Sequence, residues 1–373
     1  MIYLDNAATS RFKPQAVIDA INYDLRHSAN SGRSGHKDAV NAGIRIEECR
    51  SFLKRQLGAD ESYETVFTKN CTEALNLAIR GTIKGGEHVL TTTNEHNSVL
   101  RPLYELERQK FITLDVFDTH GKKIDLKEFG DHAKHADIIV AGGACNVTGV
   151  TADLYQIGRI AKRNNALFIV DGAQSVPAIS TDILGCGIDM LACPGHKGLH
   201  GVQGTGFLIF KKSLSPKPLL VGGTGTFSSS VYQPPQIPDG LEAGTQFAGG
   251  IYALSEGAKW SCAHIAETRK NYSILTQTAL YNLKTLDCTL YSDETATGVI
   301  AFNVGDTDSS FIAEQLDDFG IAVRSGLHCA PLVHKSLGTQ DQGAVRISFG
   351  VESTMKDLTY FCKCLEKIIR KLK

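Results

Sequence analysis

The chain has 373 residues, of which 42% are hydrophobic and 21% are charged, so it can bury one large core and a second, smaller one. Its 39 Lys and Arg residues nearly balance its 40 Asp and Glu residues, which argues against a surface built for nucleic acid or anionic membranes. No apolar run approaches the roughly 20 residues of a membrane span, and no secretory signal pattern follows Met1. We therefore expect a cytoplasmic protein.

The ten cysteines are scattered along the chain without the spacing of a disulfide framework. Most lie in or beside apolar segments, as reduced and packed thiols do. Cys362 and Cys364 form a Cys-x-Cys pair within a predicted C-terminal helix at 358–372, where positions i and i+2 face different sides. No second Cys/His pair stands at ligand spacing, so we predict no metal site.

In chain order, the first long helix is predicted at 37–57. Short apolar runs that predict strands then alternate with helical patterns. The predicted strands are 66–68, 87–92, 112–117, 137–141, 167–170, 190–192 and 206–210. The predicted helices between them are 71–80, 125–133 and 154–164. This alternation predicts an α/β fold with a mostly parallel sheet that is covered on both faces.

The Gly- and Pro-rich segment 217–249 predicts a long loop. A long helix is predicted at 251–268, and strands of a second unit are predicted at 297–304, 321–323 and 344–349. We therefore expect a large domain at 15–250. Residues 1–14 and 251–373 would form a smaller α+β domain.

Two side chains near the ends of successive predicted strands suggest a bound aromatic aldehyde. Asp171 ends one strand, where ligands of open α/β sheets lie, and its carboxylate could keep a pyridinium nitrogen protonated. Its alternative role is to cap a helix. Lys197 follows the next strand, and a desolvated lysine amine can attack an aldehyde, although most loop lysines are solvated surface charges. One pyridoxal phosphate ring could bridge the two residues.

Other residues at the same edge of the sheet could complete a cofactor site. The strand-to-helix junction at 70–73 would offer backbone N–H groups to a phosphate. Asn70 and Glu73 also match a capping box, which would explain the same pattern without a ligand. His96 follows the strand at 87–92 and places an imidazole there. The glycines at 222–225 lack the strand and helix of a dinucleotide fingerprint.

The segment 324–331 places Cys329 in a short polar loop that contains Gly326. Arg324 and His328 could lower the pKa of its thiol, and the thiolate is the nucleophilic form of cysteine. The alternative is a buried, inert thiol, which we expect for the other nine cysteines. A lysine that binds an aldehyde and a thiolate nucleophile are the two groups needed to remove sulfur from an amino acid.

Several ordered motifs together resemble those of the cysteine desulfurases, which belong to the class V aminotransferase family of fold type I pyridoxal-phosphate enzymes. These motifs are YLDNAAT at 3–9, VDGAQS at 170–175, GHK at 195–197, EAGT at 242–245 and RSGLHCA at 324–330. The resemblance runs from Tyr3 to the C-terminal helix. It implies a large domain with a mostly parallel seven-stranded sheet, a homodimer with both sites at its interface, and the short cysteine loop of the Suf-type branch.

The resemblance also implies a role for each matching residue. Lys197 would form the Schiff base with the cofactor and act as the base, Cys329 would be the nucleophile, and His96 would be the third catalytic residue. The remaining cofactor contacts would be Asp171 at the pyridine nitrogen, His96 on the ring, Gln174 at the phenolic oxygen, Cys71, Thr72 and His196 at the phosphate, and Thr245 from a second subunit. The implied substrate-binding residues are Asn146, Arg346, Arg324 and His36, and Asn30, Arg33 and His36 match a mobile active-site loop.

The chain departs from the family at two phosphate contacts. Pro194 stands where the family has Ser before Gly-His-Lys, and Asn70-Cys71-Thr72 stands where the family has Gly-Thr-Thr. Two hydroxyl groups are therefore missing. We expect backbone N–H groups or other side chains to replace them.

The predicted reaction converts L-cysteine to L-alanine, leaves a persulfide on Cys329, and then passes the sulfur to an acceptor protein or thiol. The acceptor could serve iron–sulfur cluster assembly, a thiolation pathway or a selenium pathway. One alternative is a selenocysteine lyase, which would act on L-selenocysteine, and another is a small-substrate aminotransferase. A third alternative is a non-catalytic persulfide carrier, but Lys197 and Asp171 argue against it because a carrier needs no Schiff base.

Overall fold

The computed structural model describes residues 1–31, 34–293 and 297–372. Its strands are β1 Ile2–Tyr3, β2 Tyr63–Thr68, β3 His88–Thr92, β4 Thr113–Phe117, β5 Ile138–Gly142, β6 Leu167–Asp171, β7 Met190–Pro194, β8 Gly206–Lys211, β9 Thr289–Leu290, β10 Val299–Asn303, β11 Ile321–Ala322 and β12 Val345–Ser348. Its helices are α1 Gln15–Arg26, α2 Lys37–Gln56, α3 Cys71–Thr82, α4 Asn97–Arg108, α5 Leu126–His132, α6 Leu154–Arg163, α7 Ala248–Ala263, α8 Ile265–Thr285, α9 Ser309–Asp318, α10 Pro331–Leu337 and α11 Met355–Leu372.

The central sheet has seven strands in the order β2-β8-β7-β6-β5-β3-β4. Strand β8 is antiparallel to both of its neighbours, and the other pairings are parallel. Strands β5, β6 and β7 are almost continuously apolar and buried, as strands covered on both faces must be. The structure thus confirms the predicted α/β class and the mostly parallel seven-stranded sheet.

Helices cover both faces of this sheet. Apolar residues of α2, α6 and α7 join one core cluster, and those of α3 and α4 join the cluster on the opposite face. Helix α6 packs on the sheet through one apolar face, which is formed by the buried residues Leu154, Ile157 and Ala161 at helical spacing. Its N-cap is Asp153, whose side chain accepts a hydrogen bond from the N–H of Gln156. The sheet is therefore enclosed, and only its strand ends are open for a site.

The second unit has its own core. Strand β10 pairs antiparallel with β9 and β12, and β1 pairs in parallel with β11. Leu4 packs in this core with residues of α8, α9 and α11. Helix α7, in contrast, buries Ile251, Leu254 and Ala258 against the large sheet. The domain division remains a prediction, and the packing of α7 argues for moving its boundary from residue 251 to His264.

Some predicted elements differ from the structure. The helix predicted at 251–268 is two helices, α7 and α8, which break at His264 without a Gly or Pro to mark the end. Helices α1 and α4 were not predicted. Helix α4 buries Val99, Leu103 and Leu106 at helical spacing, but Pro102 lies inside it and obscures the pattern. The loop predicted at 217–249 is confirmed as far as residue 247.

No helix in the described part of the chain combines the length and apolarity needed to cross a membrane. The same residues contain no group of three or more His, Cys, Asp or Glu side chains placed to hold a metal ion. Cys362 and Cys364 lie on α11, where Cys364 packs in the core of the second unit.

Candidate active site

Lys197 and Asp171 line one cavity of about 200 Å³ at the ends of β6 and β7. Asp171 is the last residue of β6 and pairs with Ala192 of β7, so the loop that follows β7 turns beside the carboxylate. Burial lowers the pKa of Lys197, the carboxylate of Asp171 opposes this shift, and the charges of Arg346 and Arg324 add to the lowering. A lowered pKa makes the uncharged amine available, as a nucleophilic lysine requires.

The cavity brings together most of the residues that the sequence indicated for a cofactor. Besides Lys197 and Asp171, its lining includes Cys71, Thr72, His96, Asn146, Gln174 and His196. Thr245 does not line this cavity in its own chain. It lines a separate cavity beside β2 and α3.

The Cys71 thiol lies against the carboxylate of Asp171. It donates to Asp171 Oδ1 at 3.5 Å, and the N–H of Ala173 donates to the same oxygen at 2.8 Å. Burial and the nearby carboxylate raise the pKa of Cys71 well above its ordinary value, so the thiol stays protonated. Its side chain therefore helps to orient Asp171 through Oδ1.

The N-terminus of α3 forms one side of the cavity. Asn70 Oδ1 accepts from the N–H of Glu73 at 2.9 Å, which confirms Asn70 as the N-cap. Glu73 accepts from the N–H of Lys69 at 2.7 Å, one residue before the N-cap, so the predicted capping box is shifted by one residue on this side. The structure gives the N–H groups of Cys71 and Thr72 no acceptor among the described residues. These two donors at the positive end of a helix suit a phosphate group.

His96 and His196 are neutral imidazoles at the cavity. Burial lowers the pKa of each to about 4. Nδ1 of His96 accepts from the N–H of Ser98 at 3.0 Å, which places the ring proton on Nε2. Nδ1 of His196 lies 3.0 Å from the hydroxyl group of Thr9. A neutral, fixed ring such as His96 can stack on an aromatic cofactor without adding charge.

Arg346 and Arg324 form the cationic side of the site. Arg346 is buried, donates to the carbonyl oxygen of Asn146 at 2.9 Å and to Asp5 Oδ1 at 2.8 Å, and has an Nε without a partner. Arg324 pairs with Arg346 through the backbone, and its guanidinium has no ion-pair partner in the described part of the chain. Neither arginine lines the cavity of Lys197, but the charge of each lowers the pKa of Lys197, so both lie near it. The guanidinium of Arg324 can therefore bind a substrate carboxylate, whereas Arg346 Nε is buried. Asp5, which compensates the buried Arg346, had no predicted role.

The structure does not bring His36 into the cavity. Its Nδ1 accepts from the N–H of Ala39 at 3.4 Å, as the N-cap of α2. Asn30 precedes a gap in the described chain, and Arg33 lies outside the described residues. Sequence reasoning missed Glu95, which also lines the cavity and is buried. Burial raises its pKa to about 8, and its position beside His96 was the only signal in the sequence.

Cys329 is exposed, in the loop between β11 and α10. Its carbonyl oxygen accepts from the N–H of Asn97 at 2.7 Å, and that of His328 accepts from Asn146 Nδ2 at 2.7 Å. Both donors belong to the large unit, so the loop is held against the cavity. Burial and the charge of Arg346 lower the pKa of His328 to about 2. The prediction that His328 is a cation beside Cys329 is therefore wrong, and Arg324 is the remaining positive neighbour.

Comparisons with known proteins agree with this geometry. The family model described as Aminotransferase class-V matches residues 2–361. A protein from Pyrococcus abyssi named "Probable cysteine desulfurase" is 33% identical over 387 residues, which cover 100% of this chain and 95% of that protein. A protein of the same name from Halalkalibacterium halodurans is 31% identical and covers 98% of this chain and 93% of its own length.

A solved structure shows the same similarity in three dimensions. The apo structure of a cysteine desulfurase from Thermococcus onnurineus has a TM-score of 0.93 and 32% sequence identity, over 99% of this chain and 95% of that one. The family is dependent on pyridoxal phosphate, and the donors that line the cavity suit that cofactor. The chain belongs to the class-V aminotransferase family, and within it to the cysteine desulfurases.

Proposed function

We propose that Lys197 and Cys329 divide the reaction of a pyridoxal-phosphate-dependent cysteine desulfurase, in which L-cysteine gives L-alanine and its sulfur passes to an acceptor. One observation carries this assignment. Lys197, half-buried and with a lowered pKa, lies beside Asp171 at the edge of the sheet where β6 and β7 end. The exposed Cys329 is hydrogen-bonded through its carbonyl oxygen to the N–H of Asn97, next to His96 of the same cavity.

The residues of the cavity fit the cofactor. Lys197 Nζ would hold its aldehyde carbon, the carboxylate of Asp171 its pyridine nitrogen, and the ring of His96 its face. The unpartnered N–H groups of Cys71 and Thr72 would hold its phosphate, in place of the hydroxyl groups missing at Cys71 and Pro194. When bound, the cofactor withdraws electrons from the substrate and stabilises negative charge at Cα.

The charges of the site bind and orient the substrate. The carboxylate of L-cysteine would bind the guanidinium of Arg324, which has no ion-pair partner among the described residues, and the buried Arg346 would add its positive charge. Lys197 is the base that removes the Cα proton, because burial and these two cations favour its uncharged amine. Asp5 remains bound to Arg346 and keeps that guanidinium in place.

Cys329 then takes the sulfur. Its thiolate attacks the Sγ atom of the substrate, an S–S bond forms, and the Cβ–S bond breaks. The electron pair of that bond stays on the substrate carbon, which takes up protons and leaves as L-alanine. Cys329 retains the sulfur as a persulfide, and an external thiol collects it by exchange. Because Cys329 is exposed on a loop held at both of its carbonyl groups, the acceptor must come to it.

We propose a cytoplasmic homodimer as the working form. Thr245 lines a cavity apart from the Lys197 site of its own chain, so it is available to a second subunit. The loop that carries Thr245 also exposes large apolar side chains, among them Val221, Phe227, Val231 and Tyr232, as subunit contacts do. All ten cysteines are free thiols, which suits a reducing compartment.

The test is a product assay on the Cys329→Ser variant. We expect it to keep the visible absorbance of the bound cofactor and to lose alanine and sulfide formation from L-cysteine. Cys362→Ser, which changes a half-buried thiol on α11, is the matched control and should retain both. Alanine formation at the parent rate by Cys329→Ser would contradict the assignment. Activity of that variant with L-selenocysteine alone would indicate a selenocysteine lyase.

A further inference from the structure

A line of buried polar side chains runs behind the loop of Cys329. His334 Nδ1 lies 2.8 Å from the hydroxyl group of Thr339, and His334 Nε2 lies 3.4 Å from His328 Nδ1. His328 Nε2 in turn lies 3.5 Å from the carbonyl oxygen of Arg324. The two imidazole planes are inclined by 20° and their centroids are 5.6 Å apart, so the rings lie nearly edge to edge, as a hydrogen bond in the ring plane requires. The mechanism above uses none of these side chains.

The hydrogen bonds in this line have one consistent direction. A carbonyl oxygen can only accept, so the proton of His328 is on Nε2 and its Nδ1 is an acceptor. His334 must then donate from Nε2, and its Nδ1 accepts from the hydroxyl group of Thr339. Burial keeps both rings neutral, because it lowers the pKa of His328 to about 2 and that of His334 to about 4. Each ring is thus held in one tautomer and one orientation.

The backbone beside these rings has an uncommon conformation. His328 and Cys329 are consecutive residues with φ of 51° and 57°. These values lie in the left-handed region, which residues other than glycine rarely adopt. Such a conformation persists only when its surroundings hold it. Asn146 and Asn97 hold the two carbonyl groups from the large unit, but neither contacts the side chain of His328.

We propose that His334 is a positioning residue for Cys329: it fixes the ring of His328 and thereby the left-handed turn that presents the Cys329 thiol at the cavity. His334 is on α10, which begins two residues after Cys329, and its side chain is fully buried. The loop is then held on two sides, by the asparagines of the large unit at its carbonyl groups and by His334 at its side chain. This inference rests on the proposed role of Cys329.

Two substitutions separate positioning from simple packing. His334→Phe keeps an aromatic ring of similar volume and removes the hydrogen-bond donor to His328. His334→Gln loses the ring and keeps an amide N–H near the position of Nε2. Thr339→Val is a milder variant that removes the hydroxyl group at nearly constant shape. His264→Phe is the matched control, because His264 is exposed at the break between α7 and α8.

The readouts are the single-turnover rate of persulfide formation, the rate of Cys329 alkylation by iodoacetamide, and the KM for L-cysteine. We expect His334→Phe to slow persulfide formation by about 100-fold, the scale of a misplacement near 1 Å, with unchanged KM and cofactor absorbance. His334→Gln should recover most of the rate, Thr339→Val should lose about tenfold, and His264→Phe should match the parent.

A parent rate in His334→Phe would overturn the inference, as would equal losses in the Phe and Gln variants, which indicate packing alone. If His334→Phe does not fold, a parent rate in Thr339→Val serves as the same contradiction. Failure here is distinct from failure of the proposed function. In the first case Cys329→Ser is still inactive toward L-cysteine, and in the second it is active.

Discussion

The cofactor cavity and the Cys329 loop meet at one site but are built in opposite ways. Asp171 is buried and Lys197 is half-buried; Asp171 ends β6 and Lys197 follows β7, and the register of the two strands fixes their separation. Cys329 is exposed on a loop of the second unit, in a left-handed conformation that side-chain and backbone hydrogen bonds must hold. The lysine needs a dry environment to lose its proton, whereas the cysteine needs access to an acceptor. One reaction therefore uses a rigid sheet edge for proton chemistry and an exposed loop for transfer.

The largest loss of activity should come from a substitution in the cofactor cavity that leaves the Cys329 loop unchanged. Lys197→Ala should abolish the visible cofactor absorbance and alanine formation, because no other lysine lines the cavity in the described part of the chain. Cys329 should still react with iodoacetamide at the parent rate, since its loop is held by residues other than Lys197. Lys162→Ala, an exposed lysine on α6, is the control. Retained cofactor absorbance in Lys197→Ala would contradict this division.

Asp171→Asn should have a smaller effect on the same side. The amide cannot stabilise a protonated pyridine nitrogen, so we expect kcat to fall about 100-fold. The variant should still bind the cofactor through Lys197 and the N-terminus of α3. Steady-state kinetics and an absorbance spectrum measure the two effects. Asp182→Asn, which changes a carboxylate outside the cofactor cavity, is the control, and an unchanged kcat in Asp171→Asn would remove the carboxylate from the mechanism.

The smallest effect concerns stability, to which both regions contribute. Burial lowers the pKa of His96, His196 and His334 to about 4 and that of His328 to about 2. The unfolded chain therefore binds protons near pH 6.5 while the folded chain does not. The stability that these four imidazoles contribute should be constant above about pH 6.5 and fall as the pH decreases toward 4, with a Tm loss of about 5 °C or more. Glu95, whose pKa burial raises to about 8, acts in the opposite direction. Thermal unfolding scans at several pH values test this.

His334→Gln removes one of these imidazoles and should therefore weaken the pH dependence of Tm. A Tm that is constant between pH 6.5 and 4 would show that these imidazoles are not held neutral. A parent-like pH dependence in His334→Gln would show that His334 does not contribute to it.

The sequence predicted the cavity side well because its signals are local. A buried strand that ends in Asp171, a Gly-flanked Lys197 after the next strand, and a capping box at α3 depend on neighbours in the chain. The class of the fold followed from the same alternation of strands and helices. These features place reactive groups at one sheet edge before any tertiary contact is considered.

What the sequence missed depends on contacts between distant segments. Asp5 and Arg346 are 341 positions apart, and nothing local indicates their ion pair. The neutrality of His328 follows from burial beside Arg346, so a neighbour of Cys329 that looked cationic is not. The contact of the Cys71 thiol with Asp171, 100 positions away, was likewise not predicted. Exposure and charge at the loop could not be read from its own residues.

The central claim is that sulfur leaves the substrate on Cys329, and peptide mass spectrometry tests it most directly. The holoenzyme is mixed with L-cysteine for a single turnover, its thiols are trapped by alkylation, and the peptides are analysed. We expect the mass of one added sulfur atom on the peptide that contains Cys329, in proportion to the alanine formed, and none on the same peptide of Cys329→Ser. Alanine formation with the sulfur on another cysteine, or on no cysteine, would contradict the account.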